Sequence, residues 1–147
     1  MIGSVLVVCV GNICRSPMGE RSLHQQVPHL RLGSAGLSAL VGQGADPMTS
    51  SVAAEVGLDL SRHVAKQLTT EIAADHDLIL AMEQAHRIEI VRRMPHLSGR
   101  VMLFDHWIGG QGISDPYRLP EAIHRATRDR ILTAAKAWAF RLDKKAR

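Results

Sequence analysis

The apolar run Val5-Leu6-Val7-Val8 passes without a spacer into Cys9-Val10-Gly11-Asn12-Ile13-Cys14-Arg15-Ser16-Pro17. Three of those four apolar residues are β-branched, which suits a buried strand. Ser16 is a favoured N-cap and Pro17 a favoured first helical residue, so a helix is expected from residue 17 onward. Strand, tight loop and helix in that order commit the chain to an α/β fold with a parallel sheet. A loop that ends at a helix N-terminus turns several backbone N–H groups toward one point and adds the positive end of the helix dipole, which makes an anion site. Gly11 is expected to supply the unusual backbone angle that lets those groups form a nest. Arg15 adds a planar fork of donors that matches two oxygens of a phosphate. A cysteine in such surroundings, Cys9, is expected to act as a thiolate, with the Ser16 hydroxyl placed to donate to its sulfur. The chemistry implied is covalent and involves phosphate.

The remainder of the chain repeats the pattern. Further strand-like runs fall at residues 31–34, 78–81 and 101–104, and helical patterns at 48–56, 84–94 and 120–142. Asp46 and Pro47 cap the second helical stretch as Ser16 and Pro17 cap the first. The expectation is one domain over residues 1–147, a three-layer α/β/α arrangement around a four-stranded parallel sheet, with a phosphate-binding loop after the first strand. Its crevice should lie at the carboxyl ends of the strands, where Cys9 sits.

Composition excludes several classes. The net charge is 18 − 14 = +4, which suits an anionic substrate, but only 3% of residues are aromatic and base-stacking platforms are therefore not expected. The cations of Lys144-Lys145-Ala146-Arg147 are read as favourable charge in the last turn of a helix rather than as a nucleic-acid patch. Two cysteines separated by four residues cannot build a disulfide framework, no run approaches a membrane span, and the start lacks the charge of a signal peptide. A cytoplasmic protein with no membrane insertion is expected. The eight histidines show no tight ligand pair, so neither a metal nor another cofactor is expected.

These residues resemble the Cys-x5-Arg-Ser/Thr-Pro signature of the low-molecular-weight protein tyrosine phosphatases. The likeness continues through Asn12, Ser34-Ala35-Gly36, His63-Val64-Ala65-Lys66-Gln67, Asp77-Leu78-Ile79-Leu80 and Asp115-Pro116-Tyr117, in the family's order. Ala39-Leu40-Val41-Gly42 and Val101-Met102-Leu103-Phe104 are similar to bacterial members associated with exopolysaccharide or capsule synthesis. The resemblance implies a phosphotyrosine protein as substrate, in that subgroup the tail of a membrane-bound tyrosine autokinase. It implies Cys9 as nucleophile, Arg15 as holder of the phosphoryl group, and Asn12, Ser16, Ser34 and His63 as a supporting hydrogen-bond network. Val10, Gly11, Asn12, Ile13, Cys14 and Ser16 would surround the phosphate, with Leu40 and Tyr117 beside the aryl ring. Many eukaryotic relatives carry aromatics where this chain has Leu40 and Arg118. Cys14 would be a redox partner able to form a disulfide with Cys9.

Expulsion of a tyrosine phenolate is easier when a carboxylic acid protonates it. Of the two Asp-Pro pairs, Asp46 opens a helix, whereas Asp115 comes after the glycine-rich stretch 109–112 and matches the family's acid. Arsenate reductase of the same fold is the main rival, but it needs cysteines beyond the loop and none follows Cys14. A phosphoryl carrier would not need Asp115, and an inactive interaction domain would not keep every catalytic group. Relatives that act on phosphoarginine carry threonine where this chain has Ile13, which favours phosphotyrosine.

Overall fold

A computed structural model describes residues 1–143. The elements run in the order β1 (Ser4–Cys9), α1 (Arg15–Gln26), β2 (Arg31–Gly36), α2 (Pro47–Ala54), α3 (Thr70–Ala74), β3 (Leu78–Ala81), α4 (Gln84–Arg93), β4 (Val101–Leu103) and α5 (Glu121–Leu142). Short 3-10 turns occupy Pro95–Arg100 and His106–Ile108. The four strands form one parallel sheet in the order β2-β1-β3-β4.

Every residue of β1 is buried, and alternate side chains serve opposite layers. Val5, Val7 and Cys9 join Met18, Leu23, Leu80, Phe104, Ile131 and Trp138 on the face covered by α1 and α5. Leu6 and Val8 join Ala35, Ile79, Ile90 and Leu97 on the other face. This is why the first strand reads as a continuous apolar run rather than as an alternating one. The chain leaves β1 toward β2 on one side and returns to β3 on the other. The sheet's switch point therefore lies at β1 and β3, and a crevice opens beyond their carboxyl ends.

The four predicted strands and the predicted parallel three-layer order are all present. The helix starts need one correction. α1 begins at Arg15 with Cys14 as its N-cap and no side-chain cap, so Ser16 lies within the first turn. Asp46 does cap α2, accepting from Thr49 N at 3.0 Å, with Pro47 at the first position. The short α3 was not anticipated. The expected role of Lys144, Lys145 and Arg147 in the last helical turn lies outside the described residues. Among the described residues, no helix is long and apolar enough to cross a membrane.

Candidate active site

Residues 9–16 wrap the end of β1 into the start of α1, and the left-handed backbone position falls on Asn12, at φ 58°, not on Gly11. Asparagine tolerates that conformation better than most residues, and here its side chain offsets the strain with hydrogen bonds. Its amide nitrogen donates to Ser16 Oγ at 2.7 Å and to Ser34 Oγ at 3.0 Å. Its Oδ1 accepts from Lys66 N at 2.9 Å, and its main-chain oxygen accepts from His63 Nε2 at 2.5 Å. Asn12, Ser16 and Ser34 are all buried. The resemblance expects this four-residue network, and the structure brings the four together from the loop after β1, α1, β2 and the segment before α3.

Ser16 Oγ lies 2.9 Å from Cys9 Sγ. That oxygen accepts from Asn12 Nδ2, which leaves its own proton available to the sulfur. The loop is also pinned by β2's continuation. Leu37 N, Ser38 N and Leu40 N donate to the carbonyls of Cys9, Val10 and Gly11, each at 3.0 Å. Gln67 braces that continuation, accepting from Ala39 N at 2.9 Å and donating to Leu37 O at 2.9 Å.

Arg15 is only 2% exposed. Its Nη1 donates to Ile113 O at 2.7 Å and to the Glu83 carboxylate. Its Nη2 stands 3.8 Å from Asp115 Oδ2. Asp115 Oδ1 accepts from Tyr117 N at 3.0 Å, so the acid sits in a tight Asp-Pro-Tyr turn with half of its side chain in solvent. A cavity of about 210 Å³ is lined by residues 9–15 together with Ser38, Leu40, Asp115 and Tyr117. Each residue expected around substrate lines it except Ser16, which stands behind the sulfur. Another cavity, of about 340 Å³, is lined by Pro17, Glu20, Arg21, Asp59, Arg62 and His63 and shares none of the lining of the first.

Cys9 and Cys14 are both free thiols. Burial pushes the Cys14 thiol up to about 12, against a smaller opposing effect of a hydrogen bond with Thr49. Among the described residues no cluster suited to a metal ion occurs. Sequence reasoning missed Ser38, Gln67 and Glu83. Glu83 was the most accessible of these: an acidic residue just past a buried strand, at the crevice end, is a candidate site residue.

A sequence model of the low molecular weight phosphotyrosine protein phosphatases matches residues 4–147. The chain is 46% identical over 144 residues to a probable low molecular weight protein-tyrosine-phosphatase, AmsI of Erwinia amylovora, covering 98% of this chain and all of that protein. Its structure superposes on Vibrio vulnificus Wzb in complex with benzylphosphonate with a TM-score of 0.94 at 41% identity, covering 96% of this chain and 99% of that one. It also superposes on the YwlE arginine phosphatase of Geobacillus stearothermophilus with a TM-score of 0.90 at 32% identity, covering 97% and 94%. A shared fold thus serves more than one phosphoryl substrate. On the match along nearly its whole length, and on its likeness to AmsI and Wzb, the chain belongs to the low molecular weight phosphotyrosine protein phosphatases, with the capsule- and exopolysaccharide-associated members.

Proposed function

We propose that this phosphatase hydrolyses phosphotyrosine in two steps through a phosphate covalently held on Cys9. In the first step the Cys9 sulfur attacks phosphorus, the bond from phosphorus to the aryl oxygen breaks, and protonated Asp115 gives its proton to the departing phenolate. In the second step Asp115, now a carboxylate, takes a proton from water as that water attacks phosphorus, and the cysteine leaves as thiolate. Arg15 and the loop N–H groups hold the equatorial oxygens throughout, where charge is spread in the transition state. The Ser16 hydroxyl stabilises the thiolate as attacking and as leaving group.

The observation that carries this reading is the convergence of Cys9, Arg15 and Asp115 on one cavity, with Ser16 Oγ 2.9 Å from the sulfur. Purified protein is expected to cleave an aryl phosphate without added metal, and Cys9→Ser to abolish turnover; normal turnover by that variant would remove the scheme. Asp115→Asn should lose about 10²–10⁴-fold on substrates with poor leaving groups and much less on good ones. Equal losses on both would take Asp115 out of the acid's role.

The likeness to exopolysaccharide-associated members supports a cytoplasmic role on the tyrosine-phosphorylated tail of a membrane-bound autokinase. Leu40 and Tyr117 flank the cavity as an apolar slot for the ring, and Ile13 favours tyrosine over arginine. Comparing a phosphotyrosine tail peptide with a phosphoarginine peptide tests this. Faster hydrolysis of the phosphoarginine peptide would reverse the assignment.

Cys14 is proposed as a redox guard. Peroxide would oxidise the Cys9 thiolate to a sulfenic acid, and the Cys14 sulfur would displace water from it to form a disulfide. With its thiol held at about 12, Cys14 attacks slowly at neutral pH. Mass spectrometry after mild peroxide should therefore show the Cys9–Cys14 disulfide growing faster as pH rises, whereas sulfonic acid at Cys9 alone would reject the role.

A further inference from the structure

Arg15 has five N–H donors, and the protein uses them unequally. Both Nη1 protons are spoken for, one by the main-chain oxygen of Ile113 at 2.7 Å and one by the Glu83 carboxylate. The Nε and Nη2 edge is left as the pair that can face an anion in the loop. Glu83 is the residue just before α4, in the N-cap position, yet its side chain makes no capping bond to its own helix. It reaches instead across 68 residues of sequence to the buried guanidinium. His86, one turn along α4 and itself buried, places Nε2 3.4 Å from the same carboxylate oxygen. Burial, and then the Arg15 cation, push His86 below the usual imidazole value, against the opposing pull of the Glu83 carboxylate.

The acid loop is tied to the same point. Ile113 N donates to Met82 O at 2.8 Å, next to Glu83, and Gly112 N donates to Asp105 Oδ2 at 2.9 Å, an oxygen also held by Arg130 at 2.6 Å. A side chain added at Gly112 would stand 3.7 Å from Glu83 Cα and Cγ. Asp115 comes two residues after Ile113, so whatever fixes Arg15 and Ile113 together also sets where the acid begins.

We propose that Glu83 is a positioning residue of this reaction: by taking one Nη1 proton of Arg15 it selects the guanidinium edge that faces the phosphate, and through Ile113 it joins that arginine to the loop carrying Asp115. A buried arginine without a carboxylate beside it would otherwise turn toward the nearest anion or water. The proposal rests on the reading of residues 9–15 as the phosphate site.

The test measures competitive inhibition by inorganic phosphate, which reports the grip of the loop and Arg15 without any covalent step, alongside kcat/KM on an aryl phosphate. Glu83→Ala is expected to raise the phosphate Ki by about tenfold or more and to lower kcat/KM by about 10–100-fold, the span of a charge-assisted hydrogen bond. Glu83→Gln, whose amide oxygen still accepts from Nη1, should recover most of both. Glu89→Gln, which breaks an exposed pairing with Arg92 and Arg93 on the same helix, should leave both unchanged. A Ki and kcat/KM within about twofold of the parent in folded Glu83→Ala would overturn the proposal, because the loss expected is at least tenfold. If Glu83→Ala does not fold, Glu83→Met, of similar length but without a strong acceptor, takes its place, and an unchanged phosphate Ki there overturns the proposal equally. Turnover by Cys9→Ser would defeat the covalent scheme while leaving the phosphate comparison intact, so the two failures are distinguishable.

Discussion

At the scale of single residues, the site depends most on Asn12, which is wholly buried, left-handed and bonded to four partners. Asn12→Ala removes the side-chain bonds, leaves buried partners unsatisfied and keeps a strained backbone. It should destabilise the fold by about 2–4 kcal/mol and lower kcat/KM by at least tenfold. Asn12→Gly relieves the backbone strain alone, so urea denaturation should place it between parent and Asn12→Ala while activity stays low. Equal stability of the two variants would show that the backbone conformation carries no strain. Much at this scale was legible because chemistry restricts residue type: a thiol, a guanidinium and an acid in a fixed order leave little else. Glu83 was not legible, since its partner is far away in sequence and an acid near a helix start has an ordinary reading. Gly11 shows the opposite error, because glycine is the default suspect for positive φ and an asparagine with enough partners took the position.

At the scale of elements, the loop is shaped by the segment after β2 as much as by β1. A Cβ on Gly36 would lie 2.3 Å from Val10 O, 3.0 Å from Ala39 Cβ and 3.1 Å from Asn12 Cβ, two of them atoms of the loop itself. Gly36→Ala must therefore displace the phosphate loop, and a loss of at least tenfold in kcat/KM with a raised phosphate Ki is expected. Gly57→Ala is the control: its φ of 79° strains the substitution but nothing lies within 4 Å, so about 1 kcal/mol of stability is lost with activity intact. Equal activity losses in the two variants would mean that Gly36 has no special place beside the loop. β1, β3 and β4 were readable because buried parallel strands are continuous apolar runs, which β2, with Arg31, Gly33 and Ser34, is not. Helix faces are harder to read: Ile88 and Ile123 fit the helical period yet are 59% and 44% exposed, while buried His86 and His124 take nearby positions. Polar residues that bond within the interior break the simple apolar pattern, and the five-residue α3 is too short to carry one.

For the molecule as a whole, stability should depend on pH through its buried histidines before its carboxylates. Burial is the first cause that pushes both His76 and His86 below the usual imidazole value. Their neutral forms thus favour the folded state above about pH 6.5, and that contribution is lost as pH falls from there through the lowered folded values. Glu55 and Glu89, held near 2 by hydrogen bonds from Arg125 and Arg128 and from Arg92 and Arg93, lose their contribution only at more acid pH. The melting temperature should therefore fall between pH 7 and 5, and His76→Gln should flatten that slope; an unchanged slope in this variant would assign the effect elsewhere. The overall architecture was legible because alternating strands and helices with short connections allow few topologies. What the sequence could not convey is how the switch point gathers residues 9–15, 83 and 115 into one place. That convergence is open to direct trial by rapid acid quench of Asp115→Asn mixed with an aryl phosphate that carries a good leaving group, with mass spectrometry of the peptide containing Cys9. A burst of released phenol matched by phosphate on Cys9 that decays slowly is expected. Phenol release with no phosphate on Cys9, or with phosphate on another residue, would contradict it.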